Sequence, residues 1–166
     1  MNLAFYLAAG IAVLSTFLVI TRANGVHALL YLVVSLLAVA LVFYTLGAAF
    51  AAALEVIVYA GAIVILIIFL VMMLNLGDDA AVREAQWMKP QVWIGPAILA
   101  IILDSELVSI LDAGDAGIPS VAVVNPRDVG IAMFGPYLLC VELASVLLLA
   151  ALVGAYRLAH LEQSGG

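Results

Sequence analysis

Two carboxylic acids, Glu55 and Glu142, stand inside long apolar stretches and are the residues of this chain whose type and placement could do chemistry. A carboxyl group in hydrocarbon costs at least ~2.5 kcal/mol on insertion scales, and such acids mark proton relays, ion paths or interhelical pairs. No Lys or Arg falls within any of the apolar stretches. Each acid is therefore expected to be protonated, hydrated, or paired with a group on another chain. Tyr59 follows Glu55 at i+4 and would add a hydroxyl one helical turn away. A plainer account stands beside this one. Glu55 could simply hydrogen-bond a neighbouring subunit while Tyr59 packs, and Glu142 could be satisfied by Ser145 at i+3 and by waters at a kink near Pro136.

Other chemistries find no footing. There is no glycine-rich phosphate loop, no His or Cys cluster at metal spacing, and no nucleophile beside a base. His27 and His160 both sit at helix ends and read as interfacial histidines rather than haem ligands. Cys140 is the single cysteine, lies in an apolar segment, and reads as a small hydrophobe. A formal net charge of −6 excludes a basic nucleic-acid-binding surface. The chain is expected to bind no cofactor and no metal, and to have no catalytic residues of its own.

The elements that must position the two acids are membrane helices. With 68% hydrophobic and 10% charged residues and a mean hydropathy of +1.33, the 166 residues read as one all-α integral-membrane domain. Five spans are expected, at about 3–21, 26–46, 50–75, 92–111 and 129–156. Arg22-Ala23-Asn24-Gly25 closes the first, and a short turn at Gly47 makes the second and third antiparallel neighbours. Asp78, Asp79, Arg83, Glu84, Trp87 and Lys89 form a charged loop. Asp104 and Glu106 interrupt the far half of span four, two residues apart and so on different sides of a helix. They are expected to meet water at headgroup level. Asp112 to Arg127 reads as a loop with a short extended piece at Val121-Ala122-Val123-Val124. In span five Pro136 should free the carbonyl of Ala132 and kink the helix before Glu142, and Arg157 to Gly166 reads as a polar tail.

Span three has length to spare. At 100° per residue, Ala51, Ala52, Val58, Tyr59 and Ala62 share the Glu55 face, with Ala53, Ile57, Ala60, Gly61 and Val64 opposite. Small residues on both faces suit close helix neighbours in lipid. The surplus and the Gly61 step would also tolerate a wide turn with i→i+5 bonding, a feature frequent at functional sites. Arg22, Arg83, Lys89 and Arg157 fall on one side of a five-span topology and only Arg127 on the other. The positive-inside rule then puts the N-terminus outside and the C-terminus in the cytoplasm. Glu55 would lie about two turns below the outer surface, and Glu142 ~18 Å along its helix, near the midplane.

Three blocks carry a resemblance. Asn24-Gly25-Val26-His27-Ala28-Leu29-Leu30-Tyr31, Glu55-Val56-Ile57-Val58-Tyr59-Ala60-Gly61-Ala62-Ile63 and Val141-Glu142-Leu143-Ala144-Ser145-Val146-Leu147-Leu148-Leu149 resemble, in the same order, the subunit J family of the proton-pumping NADH:quinone oxidoreductase, respiratory complex I. The resemblance covers nearly the whole chain. It implies a non-redox membrane-arm subunit that helps couple quinone reduction to proton translocation in a bacterial inner membrane. Its implied partners are the small subunits A and K, the quinone-binding subunit and the antiporter-like subunits. NADH, FMN, iron–sulfur clusters and quinone belong to the whole complex. It further implies that the third helix can rearrange through a wide turn at Tyr59, Ala60, Gly61 and Ala62, with Glu55, Tyr59 and Glu142 as proton-relay or hydration residues. Gly25 replaces a Pro common in the family, and Cys140, Asp104 and Glu106 are not part of its pattern. The alternatives are a subunit of a multisubunit cation/proton antiporter and a purely structural assembly subunit.

Overall fold

The computed structural model describes residues 3–74, 90–112 and 123–164, and the charged loop around Arg83 and the segment 113–122 lie outside them. The chain forms two units, Met1–Val123 and Val124–Gly166. Every described element is helical: α1 (Leu3–Thr21), α2 (Gly25–Thr45), α3 (Ala49–Leu54), a π-helical segment (Glu55–Ile63), α4 (Val64–Leu74), α5 (Pro90–Asp112), α6 (Pro126–Phe134) and α7 (Leu138–Ser164). Among the described residues, five helical stretches are long and apolar enough to cross a membrane.

In the first unit the helix ends follow local chemistry. Asn24 caps α2, its Oδ1 accepting from the backbone N–H groups of Val26 (3.0 Å) and His27 (3.2 Å). At the other end Gly47 has φ 81°, a conformation that costs glycine nothing. Around it the N–H of Ala48 donates to the Phe43 carbonyl (3.0 Å) and that of Gly47 to Tyr44 (3.0 Å), the paired bonds of a glycine-terminated helix. The chain therefore reverses within three residues, and α3 starts back along α2. The pairing persists to the far end, where a Cβ on Gly25 would lie 3.7 Å from Val71 Cγ1.

The core of this unit is where α1, α2 and α5 meet. Ala8 and Ala38 are fully buried, with Ile11, Val34, Leu41 and Leu103 packed around them. Small side chains let the helices approach, which in lipid replaces the hydrophobic drive of a water-soluble core. A polar clasp joins the same surfaces: the hydroxyls of Thr16 and Ser35 lie 2.8 Å apart, and Ser35 also donates to the Ala12 carbonyl (3.1 Å). Further along α2, the Tyr31 ring is 4% exposed. It stacks with His27 (5.1 Å), carries the Arg22 guanidinium over its face (5.5 Å), and turns its hydroxyl to Gly95 of α5, where a Cβ would collide with it.

In the second unit the single helix expected over 129–156, kinked at Pro136, is two helices. α6 stops at Phe134, Gly135-Pro136-Tyr137 form a turn, and α7 begins at Leu138. The Ala132 carbonyl expected to be freed by Pro136 is instead taken by the Tyr137 N–H (3.1 Å), because the chain turns there and brings the next available donor within reach. α7 remains helical to Ser164, so the polar tail forms its last turns rather than a coil. Cys140 is exposed on α7, not packed as an internal hydrophobe.

Candidate functional site

The third span is an α-helix only at its two ends. Entering the segment, the N–H of Glu55 still donates to the Ala51 carbonyl, four residues back. Leaving it, the N–H of Val64 reaches Tyr59, five residues back, as well as Gly61. The wide turn that the sequence tolerates is thus present from Glu55 to Ile63. Gly61 suits it: a Cβ there would meet the Val56 carbonyl oxygen at 3.2 Å, closer than a side chain comfortably sits.

Widening the helix changes which residues share a face. The less exposed positions run Ala52, Glu55, Ala60, Gly61, Val64, Ile67 and Val71. A regular helix from Ala52 would return to that side near Tyr59 and Ile63, so the segment lags by about one residue. The expected grouping is overturned: Glu55 falls in line with Ala60, Gly61 and Val64, whereas Tyr59 is 51% exposed. The cause is the i→i+5 ladder, to which the 100° rule does not apply. Val64, 2% exposed, follows the segment as the first residue of α4. Among the described residues no hydrogen bond or ion pair engages the Glu55 carboxylate or the Tyr59 hydroxyl, so none of them supplies a counter-group.

Beside this segment, α2, α3 and α5 line an open cavity of about 650 Å³. Its wall is almost wholly apolar, with Ala40, Ala49, Ala52, Ala53, Val56 and Ala100 among its lining, and Asp104 and Tyr44 as the polar exceptions. Asp104 is exposed on that wall and Glu106 is half-buried. α5 continues past both acids to Asp112. Sequence reasoning did not place Asp104 and the start of the third span on one cavity, and no local pattern in α5 signals it.

Glu142 lies in the second unit, exposed in the second turn of α7. Ser145 does not satisfy its carboxyl; the hydroxyl donates to the Glu142 backbone carbonyl (2.7 Å), the usual back-bonding of a helical serine. Because α7 starts at Leu138, Glu142 is ~6 Å into that helix rather than ~18 Å. His160 stacks on Tyr156 (4.9 Å), as His27 does on Tyr31. No group of His, Cys, Asp and Glu among the described residues could hold a metal. With one cysteine, the chain also lacks the thiolates that an iron–sulfur cluster needs.

Five long apolar helices, one opened into a π-helix at a carboxylate, are those of a multi-pass membrane protein. Residues 15–158 match the family described as NADH-ubiquinone/plastoquinone oxidoreductase chain 6. The chain belongs to that family, and membership makes it a component of an NADH-quinone oxidoreductase. It is similar to NADH-quinone oxidoreductase subunit J of Pseudomonas aeruginosa, at 56% identity over 160 residues covering 95% of this chain and 96% of that one. It is likewise similar to subunit J of Escherichia coli strain K12, at 56% over 166 residues, 99% and 90% of the two chains. Subunit J of Buchnera aphidicola from Acyrthosiphon pisum is 46% identical over 159 residues, 95% and 93% covered.

Proposed function

We propose that this chain serves as subunit J of the enzyme, a non-redox membrane-arm subunit that couples quinone reduction to proton translocation by rearranging its third helix. The observation that carries this reading is the π-helical segment Glu55–Ile63, in which Gly61 sits where a side chain would press on the Val56 carbonyl. Tightening that segment to α-helical bonding would turn the flanking helix and carry Glu55, Tyr59 and Ala60 to new neighbours. In this reading Tyr59, Ala60, Gly61 and Ala62 form the pivot, and Glu55, Tyr59 and Glu142 hold protons or order water. The Glu55 carboxylate, without a partner among the described residues, would find one on an adjoining subunit.

The partners in this reading are the small subunits A and K, the quinone-binding subunit and the antiporter-like subunits. NADH, FMN, iron–sulfur clusters and quinone are handled by other chains. The complex would sit in a bacterial inner membrane, with the N-terminus of this chain outside and its C-terminus cytoplasmic, as the distribution of Arg22, Arg83, Lys89, Arg127 and Arg157 favours. The test is Gly61→Val in the assembled complex. Quinone-linked proton pumping should fall while NADH oxidation with an artificial acceptor persists. Normal pumping would remove the pivot.

A further inference from the structure

Asp104 plays no part in the chemistry proposed above, yet it stands where a carboxyl group is expensive. It belongs to the apolar span Val92–Asp112, and at 1.5 Å per residue it lies ~18 Å from one end of that span and ~12 Å from the other. An aspartate side chain is too short to reach either boundary, so at that depth its carboxyl needs a charge or a donor beside it. Asp104 lines the open cavity of α2, α3 and α5, and the described residues of that lining include no Lys, Arg or His. Tyr44 lines the same cavity, but no hydrogen bond among the described residues joins its hydroxyl to Asp104. The rest of the wall suits a close neighbour. Ala40, Ala49, Ala52, Ala53 and Ala100 stand on it, small residues of the kind that let a helix backbone come near in lipid.

We propose that this groove receives a transmembrane helix of another subunit of the oxidoreductase, laid against the alanine wall, with a Lys or Arg of that helix paired to the Asp104 carboxylate. Charge and depth select this occupant. An acyl chain would fill the groove but bring no charge, and the ammonium of a zwitterionic lipid stays at the headgroup boundary, ~12 Å away. A polypeptide at this depth must satisfy its own backbone hydrogen bonds, which makes it a helix. A second copy of this chain offers no cation there: its five bases, Arg22, Arg83, Lys89, Arg127 and Arg157, all lie at or beyond the ends of the apolar spans. Family membership supplies the other chains, since this one is a component of a multisubunit enzyme. Neither group of such a pair is tolerated alone in hydrocarbon, whereas two apolar residues of similar volume can take the place of both. None of this rests on rearrangement of the third helix or on a proton role for Glu55.

The test uses the assembled complex in its native membrane. Photoreactive p-benzoylphenylalanine is placed singly at positions 101 and 107, where Ile101 and Leu107 line the groove, and adducts are mapped by mass spectrometry. The expected result is attachment from both positions to one helix of another subunit, with a Lys or Arg within about two turns of the attachment point. Adducts to lipid alone, adducts to a helix without a base, or no adduct from either position would overturn the proposal. The pairing is then read from the yield of assembled complex. Asp104→Leu leaves the base unpaired and should lower that yield about fivefold or more, and replacing the base by Met in the same strain should restore it. A normal yield with Asp104→Leu alone would overturn the proposal, as would a double variant no better than the single one.

Discussion

A Cβ on Gly61 would lie 3.2 Å from the carbonyl oxygen of Val56, five residues earlier on the same helix. The contact exists because the turn is wide, and it makes the wide turn sensitive to side-chain size at one position. Replacing glycine also favours ordinary α-helix by ~1 kcal/mol for alanine. Gly61→Ala should therefore lower quinone-linked pumping partly and Gly61→Val more, with artificial-acceptor NADH oxidation unchanged in both. Fluorescence quenching by a pH-sensitive dye in inverted vesicles reads the first activity and absorbance the second. Equal pumping in the two variants and the parent would mean that the side chain at 61 is irrelevant to coupling.

Glu55 separates a proton-carrying carboxyl from one that only packs. Glu55→Gln keeps size and hydrogen bonding but cannot carry a charge, and Glu55→Ala keeps neither. A relay predicts a loss of pumping of about a hundredfold or more in both variants with normal assembly. A packing role predicts that glutamine is nearly normal and that alanine lowers the yield of complex. Turnover per assembled complex, after purification, distinguishes them.

The Tyr31 hydroxyl occupies the space where Gly95 would carry a side chain. Gly95→Ala should destabilise the contact between α2 and α5 by about 1–3 kcal/mol, the usual cost of overpacking. Tyr31→Phe in the same chain removes the colliding oxygen and should recover part of that loss. Thermal unfolding of the detergent-solubilised complex reads both changes, and an additive pair with no recovery would separate the two residues.

Ser35 links α2 to α1 twice, to the Thr16 hydroxyl and the Ala12 carbonyl. Interhelical hydrogen bonds in membranes average about 0.6 kcal/mol. Ser35→Ala should therefore cost roughly 1 kcal/mol or less and leave pumping intact. A large loss of assembled complex on this substitution would show that the clasp matters far more than its bonds.

The parts of the fold that short-range chemistry dictates were legible in the residues. Asn24 and Gly47 end and start helices by their own hydrogen bonding and dihedral freedom, so the first turns could be read directly. Pro136 announced an interruption, but not that Tyr137 would take over the Ala132 carbonyl, since that depends on where the chain goes next. The candidate site was half legible. Composition around Gly61 permitted a wide turn, while the faces assigned to Glu55, Tyr59 and Ala60 assumed the α-helical angle and were wrong for that reason. Asp104 beside Ala52 and Val56 is a matter of tertiary packing, which no local pattern records.

The one-residue lag between Ala52 and Val64 can also be viewed as slack. A helix carrying slack reads its own sequence in two frames, one before the loose segment and one after it. Deleting a single residue between Val56 and Ala62 would take up that slack, and the frame from Val64 to Leu74 would stay where it is against α2. Deleting one from α4 would instead throw every later side chain about 100° around the axis. Length polymorphism in this helix is thus cheap at one place and ruinous a few residues on.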